Sequence, residues 1–147
     1  MAMVNVRDVL LAVRRRLREI PSLPSSFQYD GQILEGGLPS DSLSVIETLV
    51  STDQQSIAFG TSQALGIVLY EVVAPASRPD LVKEAYDLSY AIIGKFENGI
   101  TFEDTDGVRV QVVRAETVNT GRRSGDESGL YFVPAAVYWR SFSTLDF

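Results

Sequence analysis

The run QALGIVLYEVVA, residues 63–74, constrains the fold more than any other stretch of the chain. Alternation places Ala64, Gly66, Val68, Tyr70 and Val72 on one face of a strand, and Leu65, Ile67, Leu69, Glu71 and Val73 on the other. A strand with one face in water alternates apolar with polar residues, whereas this one is apolar on both sides. Both faces must therefore be covered, at least in part.

The chain supplies two helices as cover. In the first, Asn5 caps the N-terminus and Asp8 sits beside the positive end of the helix dipole. Val6, Val9, Leu10, Val13, Leu17 and Ile20 then form one apolar stripe, and Pro21 stops the helix. Ser77, Arg78 and Pro79 open the second, whose stripe runs through Leu81, Ala85, Leu88, Ile92 and Phe96 to the stop signal Asn98-Gly99. Other strand-like runs are VIETLV (45–50), IAF (57–59), ITFE (100–103), VRVQVVRAETV (108–118) and LYFVPAAVYWRSF (130–142), in which Pro134 marks an edge or a bulge. The irregular stretch 21–44 is expected to be pinned by Phe27, Tyr29, Ile33 and Leu34.

This order predicts a single α+β domain over residues 1–147, with a mostly antiparallel, four- to five-stranded sheet and two helices on one face. Two helices of about 16–19 residues cover one face of such a sheet, not both. Residues 21–44 can shield part of the second face, but the simplest completion is another copy of the chain. Arg14 and Arg18 on the helix flank, with Tyr70 and Tyr138 on the strands, are the candidate subunit-contact residues.

Composition narrows the chemistry. The chain has no Cys and no His, which removes disulfides, thiolate or imidazole metal sites, the Ser-His-Asp triad and the usual proton shuttle near neutral pH. No enzyme activity and no cofactor are expected. The net charge of −6 disfavours general nucleic-acid binding, although five Arg fall within the first 20 residues. No apolar run approaches the roughly 18 residues of a membrane span. The N-terminus reads as an amphipathic helix and not as a secretory signal, so a cytoplasmic site of action is expected.

Several local patterns are weaker. Asp104-Thr105-Asp106-Gly107 resembles part of a calcium loop but lacks the distal Glu, and a hairpin turn is the simpler reading. Glu103, Asp104 and Glu116 are candidate carboxylates that sequence cannot bring to one cleft. Gly36-Gly37 and Gly121 form no phosphate loop. Trp139 is expected in the core or at a subunit contact.

Between the last two long strands lies TGRRSGDESG, residues 120–129, longer than a hairpin turn needs. It is either slack or a binding element. The layout resembles the tail terminator, or tail-tube completion, proteins of long-tailed bacteriophages. The resemblance is carried by the opening helix ending at IPSLP, the passage ALGIVLYEVVAPASRPDLVKEAYDLSYAIIGKF, and the closing VRVQVVRAETV…GLYFVPAAVYWRSF. It implies a homohexameric ring that caps the tail tube, stops its growth and presents a surface for joining to the head. It also implies the tail tube protein and a head-tail connector as partners, with DNA passing through without specific binding. The expected location is the virion tail, assembled in the host cytoplasm. Residues 119–129 would then be a flexible docking loop for the tail tube, in which Gly121, Arg122, Arg123, Asp126 and Glu127 are the contact residues. Another head-tail connector protein, or a small ligand-binding or enzymatic α+β domain, remains as an alternative.

Overall fold

The computed structural model describes residues 4–32, 37–39, 41–58, 61–103, 108–117, 122–123 and 129–144. The elements are α1 (Val6–Leu17), β1 (Phe27–Gln28), β2 (Ser44–Ala58), β3 (Thr61–Pro75), α2 (Pro79–Lys95), β4 (Thr101–Glu103), β5 (Arg109–Glu116), β6 (Arg122–Arg123) and β7 (Leu130–Thr144). Seven strands form one sheet in the order β1-β2-β3-β7-β5-β4, with β6 also paired to β7. All pairs are antiparallel except β1 with β2. The mixed α+β class is as expected, while the sheet is wider than four or five strands.

Three differences from the sequence reading stand out. Residues 45–50 and 57–58 belong to one strand. β2 runs through the polar segment Ser51–Gln55, whose backbone is satisfied by continuous pairing with β3 across two register shifts. β7 is not an edge, because β3 pairs with it along its whole length and β5 and β6 share its other side. Pro134 falls between the last β5 partner, Ala136, and the first β6 partner, Phe132. A residue with no N–H is tolerated where that ladder is interrupted. Finally, α1 ends at Leu17, short of Pro21, although Ile20 stays buried.

Both helices pack on one face. The Asn5 carboxamide oxygen accepts from the backbone N–H of Arg7 and Asp8 at 3.1 and 3.4 Å, which fixes the start of α1. Val9, Val13 and Leu17 from α1, and Ala85, Leu88 and Ile92 from α2, share one core with Ala64, Val68 and Val72 of β3 and Val133, Ala135 and Val137 of β7. Arg16 Nε donates to the Lys95 carbonyl at 2.9 Å and Lys95 pairs with Glu19 at 2.6 Å, tying the ends of the two helices together. Among the described residues, no helix is long and apolar enough to cross a membrane.

The two faces of the sheet differ sharply. On the helix-covered face of β3, every residue from Ser62 to Val72 at even positions is buried. On the other face, Leu65, Ile67 and Leu69 are only half-buried. Phe27 and Tyr29, whose rings lie 4.6 Å apart, pin the stretch after α1, and Phe27 also reaches the Tyr70 ring at 6.2 Å. Their expected companions Ile33 and Leu34 lie outside the described residues.

Candidate assembly interface

Three regions carry the residues singled out by sequence. The first lies between α1 and the sheet. Glu47 of β2 points into the core with its side chain 0% exposed. Arg14 Nε donates to both of its oxygens at 2.9 and 3.2 Å, and Nη2 donates to Oε1 at 2.5 Å. The Tyr70 hydroxyl donates to Oε2 at 2.9 Å, and the Asp30 backbone N–H to Oε1 at 3.2 Å. Burial pulls the Arg14 pKa down, but the hydrogen bonds and charge of Glu47 outweigh it, and the net shift is upward. Burial, then the Glu47 charge, pushes the Tyr70 phenol well above the usual tyrosine range.

Arg14 and Tyr70, two of the residues expected at a subunit contact, thus take part in a network inside the molecule. Tyr70 is 0% exposed and has no surface to offer a second chain. The Arg14 guanidinium is held inside the same molecule and stacks 4.6 Å over Tyr29. Arg18 remains exposed, yet its Nη2 donates to the Tyr29 hydroxyl at 2.6 Å. Sequence reasoning missed Glu47. A signal was present, since Glu47 shares strand parity with Val45 and Leu49, the inward side.

The second region is the segment between β5 and β7. Arg122 and Arg123 pair through the backbone with Phe132 and Tyr131 as β6. At the far end the Gly129 carbonyl accepts from the Ala76 N–H at 2.7 Å. Within the stretch 119–129 expected as a flexible loop, Arg122, Arg123 and Gly129 thus have backbone partners. Gly121, Asp126 and Glu127 lie outside the described residues.

The third region is the uncovered face of the sheet. Ser51, Asp53, Leu65, Ile67, Val113 and Tyr138 line an open groove of about 260 Å³. Val113 is 47% exposed, pointing outward next to the buried Val112, and the register shift between Val112 and Arg114 leaves Arg114 exposed beside it. The Arg114 guanidinium sits 4.1 Å over the Tyr138 ring. Arg140 donates to the Gln111 carboxamide and lies beside Phe142, which is 46% exposed. Tyr138, expected at a subunit contact, is the one of the four such residues that lines this apolar face. Trp139 is buried on the opposite face against Gly66.

The remaining carboxylates do not converge. Glu103 faces Arg109 at 3.6 Å and Glu116 faces Arg114 at 3.6 Å, near opposite ends of β5. Asp104 to Gly107 lie outside the described residues, although β4 and β5 on either side pair as a hairpin would. Among the described residues, no group of three Asp or Glu is placed to hold a metal ion.

No protein-family model matches the chain, and no curated protein matches it. Solved structures do match. One, whose title is only a sequence label, is 16% identical with a TM-score of 0.58, over 92% of this chain and 94% of its own. Another is a chain of the "Virion of native gene transfer agent (GTA) particle", 15% identical with a TM-score of 0.51, over 90% of this chain and 92% of its own. At such identities the likeness is one of fold, and it extends over nearly the whole of each chain.

Proposed function

We propose that this chain is a structural component of a phage-type virion, specifically a tail terminator that caps the tail tube as a homohexameric ring. The observation that carries this reading is the fold shared with a virion chain across nine-tenths of both molecules. The exposed apolar face of the sheet supports it, since a monomer in water has no use for Val113, Phe142 and the half-buried Leu65 and Ile67. In this reading the ring halts tube growth, meets the tail tube protein on one side and a head-tail connector on the other, and lets DNA pass without specific binding.

The segment around Arg122 and Arg123 is the element proposed to dock on the tube. Electron microscopy of particles assembled without the chain tests the role directly. Overlong tubes are expected, and tubes of normal length would refute termination. Replacing Arg122 and Arg123 with Glu in otherwise normal particles is expected to preserve folding and abolish tail joining.

A further inference from the structure

Among the described residues, Val50, Tyr90, Val113 and Phe142 are the exposed large apolar side chains, and two of the surfaces they mark lie on opposite sides of the molecule. One is the sheet face, with Val113, Phe142 and the groove lined by Leu65, Ile67 and Tyr138. The other is Tyr90, 63% exposed on α2. Helix α2 buries Ala85, Leu88, Ser89 and Ile92 against the sheet, so Tyr90 looks directly away from it. At 100° per residue, Lys83, Glu84, Asp87, Tyr90, Ala91 and Gly94, all exposed, fall in one stripe about 120° wide, and Glu97 follows just past the end of the helix. Tyr90 is its one large aromatic side chain, a knob that stands along one margin of the stripe, with the small residues Gly94 and Ala91 beside it, which allow close approach.

The charges are complementary. Around the knob are three carboxylates, Glu84, Asp87 and Glu97, against one amine, Lys83, whose contact with Asp87 is a loose 3.3 Å between exposed groups. Along one rim of the groove stand Arg114 and Arg140. Among the described residues Arg140 bonds the neutral Gln111 and no carboxylate, and the Arg114 contact with Glu116 is 3.6 Å long at a half-exposed site. Asp53 on the far rim is of the sign to receive Lys83.

We infer that the occupant of the groove is a second copy of this chain, which inserts the Tyr90 stripe of its α2. This rests on the ring reading and specifies its contact surface. Knob and groove are different surfaces on opposite faces, so the contact is head-to-tail, and repetition closes a ring or extends a filament. An isologous sheet-to-sheet dimer would leave Tyr90 unused.

The test uses the full chain in sedimentation velocity and native mass measurement, with Tyr90→Glu and Val113→Glu as variants. Both positions are exposed, and unchanged circular dichroism and melting verify that the variants fold. Wild type is expected to form oligomers larger than a dimer. Each variant alone is expected to assemble at least about tenfold more weakly and to run near 16.2 kDa. Mixed one to one, they retain one intact groove and one intact knob, so dimers form and nothing larger does. The inference is overturned if Tyr90→Glu assembles like wild type, if the mixture gives no dimer, or if wild type is monomeric even at about 1 mM. Tail length in particles lacking the chain answers separately for the tail role.

Discussion

Glu47→Gln tests how the long segment after α1 is held to the sheet. The substitution keeps the shape of the side chain and removes its charge. Glu47 is fully buried and Arg14 is 18% exposed, so the guanidinium loses its counter-charge where water reaches it poorly. Breaking a buried pair by removing one partner costs about 3–5 kcal/mol. The residual exposure of Arg14 and its stacking on Tyr29 at 4.6 Å place the expectation at the lower end, about 3 kcal/mol. For a chain of this size that corresponds to a fall in Tm of about 6–12 °C. Urea unfolding followed by circular dichroism should show a lower midpoint with unchanged slope.

The double variant Arg14→Met, Glu47→Gln separates the charge effect from packing. The carboxamide introduced at position 47 can still accept from the Tyr70 hydroxyl, which lies 2.9 Å from the Glu47 oxygen in the wild-type chain. With the stranded cation gone, the double variant should be more stable than Glu47→Gln alone, a non-additivity expected of residues in one network. If Glu47→Gln lies within about 0.5 kcal/mol of wild type, or the double variant is no more stable than Glu47→Gln alone, Arg14 and Glu47 are not a coupled buried pair.

Two further outcomes follow from the core and the phenol. At Gly66 a Cβ would overlap the Trp139 ring, so Gly66→Ala should destabilise by about 1–3 kcal/mol and shift the emission of the single Trp; unchanged emission and melting would show that the ring moves aside freely. The Tyr70 pKa is raised in the folded state, so its contribution to stability is complete below the unfolded tyrosine value of about 10 and is lost as pH rises from there toward the folded value. Unfolding free energy measured by urea titration should fall above pH of about 10, and a flat profile to about pH 12 would contradict the buried phenol.

The parts of the fold visible in the sequence are those set by local periodicity. The stripe Val9, Val13, Leu17, the Asn5 cap, the Pro79 start of α2 and the two-sided character of β3 all depend on residues close in the chain. β1 and β6, of two residues each, exist only because β2 and β7 lie beside them. The polar run Ser51–Gln55 has no strand signature of its own and is held extended by β3. The same divide applies to the site. The place of Tyr138 on the less covered face is readable from the alternation of its strand. Arg14 and Tyr70 are not readable as internal groups, because their partner Glu47 is 33 and 23 residues away along the chain.

The anchoring of the hairpin changes what docking demands of the segment between β5 and β7. Ten residues ordered from a free loop would oppose binding by on the order of 10 kcal/mol of backbone entropy. With Arg122 and Arg123 in β6 and Gly129 bonded to Ala76, only residues 124–128 lie between the anchors. The opposing term then falls to on the order of 5 kcal/mol per copy. β6 continues the β5 side of the ladder with a two-residue slip in register, so Arg122 and Arg123 are held on the same flank of β7 as β5. In the proposed ring, six such segments would be presented at fixed positions by six sheets, and simultaneous engagement raises avidity without requiring a strong individual contact. The same anchoring sets a condition on the segment: charge reversal at Arg122 and Arg123 should change what the ring attaches to while leaving how the ring closes unchanged.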